Sequence, residues 1–483
     1  MGVARSGLGW LLAKYGALLL SFGSVLYFTR ALENPTTVLG LFQVFESIVG
    51  IAMIAASGGL AKAVTKRISE RRNESRLVGA TAVLSLGALL ILTSIGLAAT
   101  DYLQSYFKMG FVVVALLLVT IWAHQVSDMS KAILQGASRV GRAGGIEFFE
   151  MFVRLIAQVG LVYLGYELIG LLAGAAIGTV SAAVVAVAMI PYDFARPARE
   201  HLEELFSFTK YTYPQGFTDK VYANVDTFVI AGLLSSEAVA LYNIPFRLAL
   251  VLDTFVNSIS GTILPEISHQ DVANNSERVE EVLKDAVIFA TILAIPATVG
   301  VAILAKPIIV TLFTAEFAES ATVAILAMAI QIPESLRTVF NSVVIGVDRP
   351  DVTLRASLLL VGINVPLDLL LVPTIGIEGA AIATLAGVTF SGTYLGWALV
   401  SVLELDWRFF PFRPLTAQVA AAGVMGAVVL WLRSVLELDP ILKLSIIVAI
   451  GIIVYWALLV SISSRTRRRL WGIAADVLPV RKQ

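Results

Sequence analysis

Fourteen stretches of about twenty mostly apolar residues succeed one another along this 483-residue chain. They lie near 10–28, 36–60, 78–99, 109–130, 147–165, 169–190, 211–234, 237–264, 286–305, 319–345, 353–372, 377–401, 415–433 and 441–463. Each is long enough to cross the hydrocarbon of a bilayer as an α-helix. Runs such as Val112 to Ile121 do not alternate apolar and polar residues, which excludes the strands of a membrane barrel. A surface built from 58% hydrophobic and 14% charged residues cannot face water all round. The expectation is an all-α polytopic membrane protein. The first run follows Arg5 directly, with no small-residue cleavage site, and reads as a retained helix rather than a signal peptide.

Orientation follows from the basic residues. With the N-terminus inside, 26 of the 35 Lys and Arg fall on the cytoplasmic side, five fall outside and four lie within spans. The inner set includes the cluster Lys62, Lys66, Arg67, Arg71, Arg72 and Arg76. It also includes the tail residues Arg465, Arg467, Arg468, Arg469, Arg481 and Lys482. This asymmetry predicts a multi-pass plasma-membrane protein with both termini cytoplasmic, whose basic clusters attract anionic lipids. The formal net charge is zero, so there is no chain-wide basic field for nucleic acid. Cysteine is absent, which removes disulfides, thiolate metal sites and a cysteine nucleophile. No phosphate-binding Gly-Lys loop, H-E-x-x-H or G-x-S-x-G is present. The inner connections hold a short amphipathic helix at most. Residues 277–285 read as one, and 306–318 reads as a segment along the outer interface.

The chain repeats itself at an offset of roughly 200–210 residues. ENPTTVLGLFQV (33–44) aligns with LSSEAVALYNI (234–244), and ILQGASR (133–139) with VVIGVDR (343–349). Gly170, Gly174 and Gly178 in the sixth run match Gly379, Ala383 and Gly387 in the twelfth. Small residues at this spacing let helices approach closely in lipid. The predicted architecture is therefore a first lobe of six helices (1–205), a second of six (206–405), and two extra helices with a basic tail (406–483). Six is even, so the halves share an orientation and relate by an axis along the membrane normal. Such repeats place a substrate site at their interface. Prolines interrupt only the second set, at Pro214, Pro245, Pro296, Pro333 and Pro366.

Residues 224–268 resemble the seventh and eighth helices of polysaccharide-biosynthesis flippases, in the multidrug/oligosaccharidyl-lipid/polysaccharide exporter superfamily. The matching pattern is Asp226, a small residue (Ala240, where the family has Gly), Tyr242, Arg247 and Leu248. LQGASRVGRAG (134–144) and IGVDRP (345–350) look like that family's cytoplasmic turns. The resemblance implies a two-lobe fold, like that of multidrug and toxin exporters, around a cationic cavity. It also implies alternating-access transfer of a polyprenyl-phosphate- or pyrophosphate-linked oligosaccharide from the inner to the outer leaflet.

A lone charge at mid-membrane costs about 2.5–3.5 kcal/mol on the insertion scale. Arg247, Lys220, Arg154 and Arg337 lie within spans and are assigned to the lipid phosphate, arginine being suited to it by its planar fork. Ion pairing competes with that role. Arg154 has Glu150 at i−4, and Arg337 has Glu334 at i−3, on the same helix face. Arg247 has no acid at i±3 or i±4, and Lys220 adjoins Asp219, which points elsewhere on a helix. Glu46, Asp128, Asp219, Asp226, Asp253 and Asp368 are candidates for pairing these cations or for binding a coupling ion, Na+ or H+. His124 and Asp128, at i and i+4, form either a proton relay or a plain hydrogen bond. No metal cluster is expected, nor any catalytic residue. The expected state is a monomeric transporter, not an enzyme. A cation-coupled drug exporter of the same superfamily is the alternative, set back by the two extra helices and the cationic spans. A membrane glycosyltransferase or polymer ligase ranks lower, since no sizeable hydrophilic loop exists.

Overall fold

The computed structural model describes the backbone of residues 2–268, 276–406, 410–463 and 467. Side chains are described over 15–261 except 211, 212, 215 and 219, and again over 279–406, 410–463 and 467. The side chains of Asp219, Arg5, Lys14, Arg278, Arg408 and the tail residues Arg465, Arg468, Arg469, Arg481 and Lys482 lie outside the described residues.

The described chain is helical. In order the helices are α1 (Gly2–Ala31), α2 (Pro35–Ser57), α3 (Leu60–Ser69), α4 (Glu74–Ala98), α5 (Thr100–Phe107), α6 (Val112–Gly136), α7 (Val140–Tyr163) and α8 (Glu167–Ala188). Then follow α9 (Arg199–Leu233), α10 (Ser236–Ser268), α11 (Ser276–Leu312), a 3₁₀ turn (Ala315–Ser320), α12 (Ala321–Gly346), α13 (Pro350–Ile375), α14 (Ile377–Val402), α15 (Phe412–Val435) and α16 (Pro440–Ile462). Every expected span falls on one of these helices. Among the described residues, eleven helices are long and apolar enough to cross a membrane. Of the helices carrying expected spans, α1, α7 and α9 fall outside that set; α7 and α9 carry more charge, for instance Glu147, Glu150 and Arg154 in α7. Pro35, Pro350 and Pro440 each open a helix, where the missing N–H has no intrahelical role.

Two expected connections are instead helix. Residues 199–210 continue without a break into the seventh span, because no proline or glycine separates Pro197 from Pro214. Residues 277–285 are likewise the start of α11, not a separate helix. α11 also runs through Pro307 to Leu312, so the interfacial segment expected at 306–318 is shortened to the 3₁₀ turn.

The chain divides into two compact units, Met1–Asn243 and Ile244–Gln483. In the first, α8 packs on α7 through its glycines. A Cβ built on Gly174 would meet the Gln158 side chain, and one on Gly178 would stand 2.6 Å from Arg154 Cβ. In the second unit α14 packs on α13 in the same way, with Gly379 against Leu371 and Gly387 against Leu360 and Asn364. The turns after α6 and α12 also match. Ser138 (φ 60°) and Asp348 (φ 57°) take left-handed backbone at corresponding places. Arg139 N–H bonds Leu134 O at 2.8 Å, and Arg349 N–H bonds Val344 O at 3.1 Å. This is a standard helix C-terminal closure.

α3 is amphipathic. Its Ala63, Val64 and Ile68 are buried, while Lys62 and Lys66 are exposed. Gly136 admits it to the end of α6: a Cβ there would stand 2.7 Å from Ile68 Cβ. Arg67 ties α3 to α9 by a 3.1 Å pair with Glu204, and its guanidinium lies over the Phe208 ring.

Candidate functional site: charged side chains within the spans

In the first unit, α2, α6 and α7 bring charged side chains together, and α8 adds the Thr179 hydroxyl. Arg154 does not pair with Glu150 as its spacing predicts. Its Nη2 reaches Glu46 Oε1 on α2 at 3.2 Å, and its guanidinium lies 5.3 Å from the Phe42 ring centroid. Gly178 of α8 lies close against the Arg154 backbone and Cβ. Glu150 is engaged by the Thr179 hydroxyl, which donates to Oε1 at 3.0 Å. Its charge also acts on Lys131.

The ammonium of Lys131, near the end of α6, sits 2.9 Å from Asp128 Oδ1, and its side chain is only 12% exposed. The i, i+3 spacing of Asp128 and Lys131 is the signal that finds this pair. His124 Nε2 is 3.7 Å from Asp128 Oδ2, too long for a hydrogen bond, so Lys131 is the tighter partner of that carboxylate. Lys220, exposed on α9, adds its positive field at Asp128.

Asp226 is nearly buried and accepts a hydrogen bond from the Tyr242 hydroxyl. One residue further along each helix, Asn243 Nδ2 donates to Thr227 Oγ1 at 3.0 Å. These two contacts knit α9 to the start of α10. There, Thr37 of α2 donates to Glu237 Oε1 at 2.8 Å, and Gly40 packs on the Ser236 carbonyl.

In the second unit, Arg337 forks Glu334 with two bonds, Nε to Oε2 at 2.8 Å and Nη2 to Oε1 at 2.6 Å. This is the pairing its spacing predicts. Asp253 of α10 hydrogen-bonds the Gln331 side chain and lies in the fields of Glu334 and Arg337. Arg247 is half-buried on α10, and the lack of an acid on its own helix face does not leave it without a partner in the fold. Asp368 is fully buried on α13, one turn from Asn364, whose Nδ2 donates to Thr384 Oγ1 of α14 at 3.2 Å. Sequence reading singled out Asp368 but not Asn364 or Thr384, which become candidates only once α14 is placed. Among the described residues no group of three or more His, Cys, Asp or Glu could hold a metal.

An apolar cavity of about 300 Å³ lies in the same unit, lined by Pro296, Gly300, Met425, Gly451, Tyr455 and Trp456 among others. Its walls suit hydrocarbon, not a phosphate.

Residues 37–322, more than half of the chain, match the family model described as polysaccharide biosynthesis protein. The chain belongs to that family. Two Haloferax volcanii proteins resemble this family member. A probable low-salt glycan biosynthesis flippase, Agl15, is 25% identical over 437 residues, covering 86% of this chain and 91% of the relative. A probable flippase, AglR, is 23% identical over 347 residues, covering 71% and 72%. Among solved structures, the lipid II flippase MurJ in an inward closed conformation matches with a TM-score of 0.77 at 17% identity, over 93% of this chain and 98% of that one. An inward-facing multidrug resistance MATE family transporter of the MOP superfamily matches with a TM-score of 0.64 at 16% identity, over 80% and 95%. At such identities the structural likeness establishes the helical fold. The likenesses are to transporters, not to enzymes.

Proposed function

We propose that this protein is a monomeric flippase that moves a polyprenyl-phosphate- or pyrophosphate-linked oligosaccharide from the cytoplasmic to the outer leaflet by alternating access, with both termini in the cytoplasm. The observation that supports the reading is the set of cations carried by long apolar helices in both units: Lys131 in the first, Arg247 and Arg337 in the second, with Arg154 on the neighbouring α7. Such charges are costly in hydrocarbon and persist where they serve a pathway. A polyanionic lipid head crossing a low-dielectric centre needs fixed cations to lower its barrier. Arg247 contacts the phosphate in this scheme.

A coupling cation, Na+ or H+, is placed at Asp368. One carboxylate, an amide oxygen from Asn364 and a hydroxyl from Thr384 make a hard oxygen set, which fits an alkali ion or a proton and not a soft transition metal. These residues would hold the ion, whose binding would charge-neutralise an otherwise buried carboxylate.

The test is a proteoliposome assay with a fluorescent polyprenyl-diphosphate oligosaccharide, read by its accessibility to an added glycosidase. Losing one charge-assisted contact removes about 1.5–3 kcal/mol, or roughly ten- to hundredfold in affinity. Arg247→Ala should slow transfer by that order at unchanged protein level, and Arg247→Lys should recover part of it, since charge survives but the fork does not. A wild-type protein that moves no lipid-linked glycan would overturn the reading. Full transfer by Arg247→Ala would overturn the role of that residue alone.

A further inference from the structure

A proline inside a helix lacks the N–H that would bond the carbonyl four residues earlier. α11 contains two such prolines, Pro296 and Pro307. The carbonyls of Ile292 and Ile303 are therefore left without their helical donors. Both are taken up by side chains from the last two helices. The Tyr455 hydroxyl of α16 donates to Ile292 O at 2.8 Å. Arg433 Nη1 of α15 donates to Ile303 O at 2.8 Å.

A third polar clasp lies between them in kind. Gln418 of α15, fully buried, donates through Nε2 to Ile288 O at 2.9 Å and accepts from the Thr291 hydroxyl at 3.0 Å. Ile292 and Tyr455 are themselves 1% and 2% exposed, so no water reaches the freed carbonyl there. An unmet carbonyl is costly in a dry interior. Around these bonds Ile292, Ile295, Met425, Val429, Ile447, Tyr455 and Leu459 form one apolar cluster.

We propose that the α15–α16 pair is fastened to α11 at its two proline breaks and moves with it as one rigid body through the transport cycle. The pair acts as a splint. It restores the hydrogen bonds that the prolines remove, so α11 keeps its bends without becoming a loose joint. The extra helices are then part of the moving machinery and not a detachable appendage. The fastening stands on the bonds alone; the shared movement rests on the flippase reading.

Two measurements test this. The first is a double-mutant cycle on purified protein in detergent, read as the thermal unfolding midpoint. Tyr455→Phe should lower the midpoint by about 2 °C in the natural background. It should change little in the Pro296→Ala background, where the alanine N–H returns the helical bond to Ile292 O. Equal drops in both backgrounds would show that the tyrosine packs but does not serve the proline break, and the fastening would fall.

The second uses the absence of cysteine from the natural chain. A Cβ at Gly426 would stand 2.8 Å from Val299 Cγ1, within reach of a disulfide. Val299→Cys with Gly426→Cys should cross-link α11 to α15 on oxidation, and transfer of the lipid-linked glycan should stay within twofold of the reduced protein. Loss of transfer on oxidation, regained with reductant, would show that the hairpin must slide on α11 and would overturn the rigid body. Absence of transfer in both redox states would count against the flippase reading, while the thermal cycle still decides the fastening.

Discussion

Gly178→Ala is the smallest change that should reach the charged site through packing alone. The added methyl would stand 2.6 Å from Arg154 Cβ, 2.9 Å from Arg154 Cα and 3.0 Å from Glu150 O. Carbon atoms rest at about 3.5–4.0 Å, so α7 and α8 must separate by about 1 Å. The listeners to that shift are the contacts of Arg154. Its bond to Glu46, now 3.2 Å, would lengthen to roughly 4 Å if the side chain followed its backbone. At an effective dielectric near 20 that weakens the attraction by about 1 kcal/mol. Overpacking adds about 1–3 kcal/mol. Gly160→Ala on α7 is the control, since a Cβ there meets nothing within 4 Å. Both variants gain the same helix propensity, about 1 kcal/mol, so their difference isolates packing. In detergent, Gly178→Ala should unfold from a few to about 10 °C below Gly160→Ala and should transfer glycan more slowly. Equal midpoints for the two would refute the idea that this glycine sets the position of Arg154.

Ser138→Gly should raise the thermal midpoint more than Asp348→Gly does. Both residues hold left-handed backbone, costing roughly 1 kcal/mol for most side chains, but aspartate tolerates it better; a fall on Ser138→Gly would contradict the strain. Tyr242→Phe removes a donor from the nearly buried Asp226, so stability should drop by about 1–3 kcal/mol; an unchanged denaturation curve would show the bond to be idle. Asp368→Asn should abolish stimulation of transfer by a Na+ or proton gradient while gradient-free transfer persists. Equal stimulation of parent and variant would place the coupling ion elsewhere.

Helix positions were legible because each span needs an unbroken apolar run, and such runs are visible without tertiary information. The small-residue stripes were legible for a related reason. A glycine every fourth residue marks one helix face, and Gly174, Gly178, Gly379 and Gly387 do lie against a neighbouring helix. Charge partners were legible only when both members shared a helix. Arg337 and Glu334 met as spaced. Arg154 did not take Glu150, because the choice between that acid and Glu46 depends on where α2 stands relative to α7. Asn364 and Thr384 escaped notice on the same ground: neutral polar residues twenty apart on different helices carry no spacing signal. The merged helices at 199–210 and 276–285 were hidden by their polarity, which reads as a loop beside a membrane although nothing in them breaks a helix.

The bond between Asp226 and Tyr242 bears on how a family signature should be interpreted. These are two of the residues on which the sequence resemblance to polysaccharide-biosynthesis flippases rests, and they are spent on each other, closing a helical hairpin. The part of a fingerprint made of such residues reports the scaffold and not the glycan. Proteins that share it can diverge in the glycan they carry without altering it. Sorting them by substrate therefore calls for comparing the positions that the fingerprint leaves free.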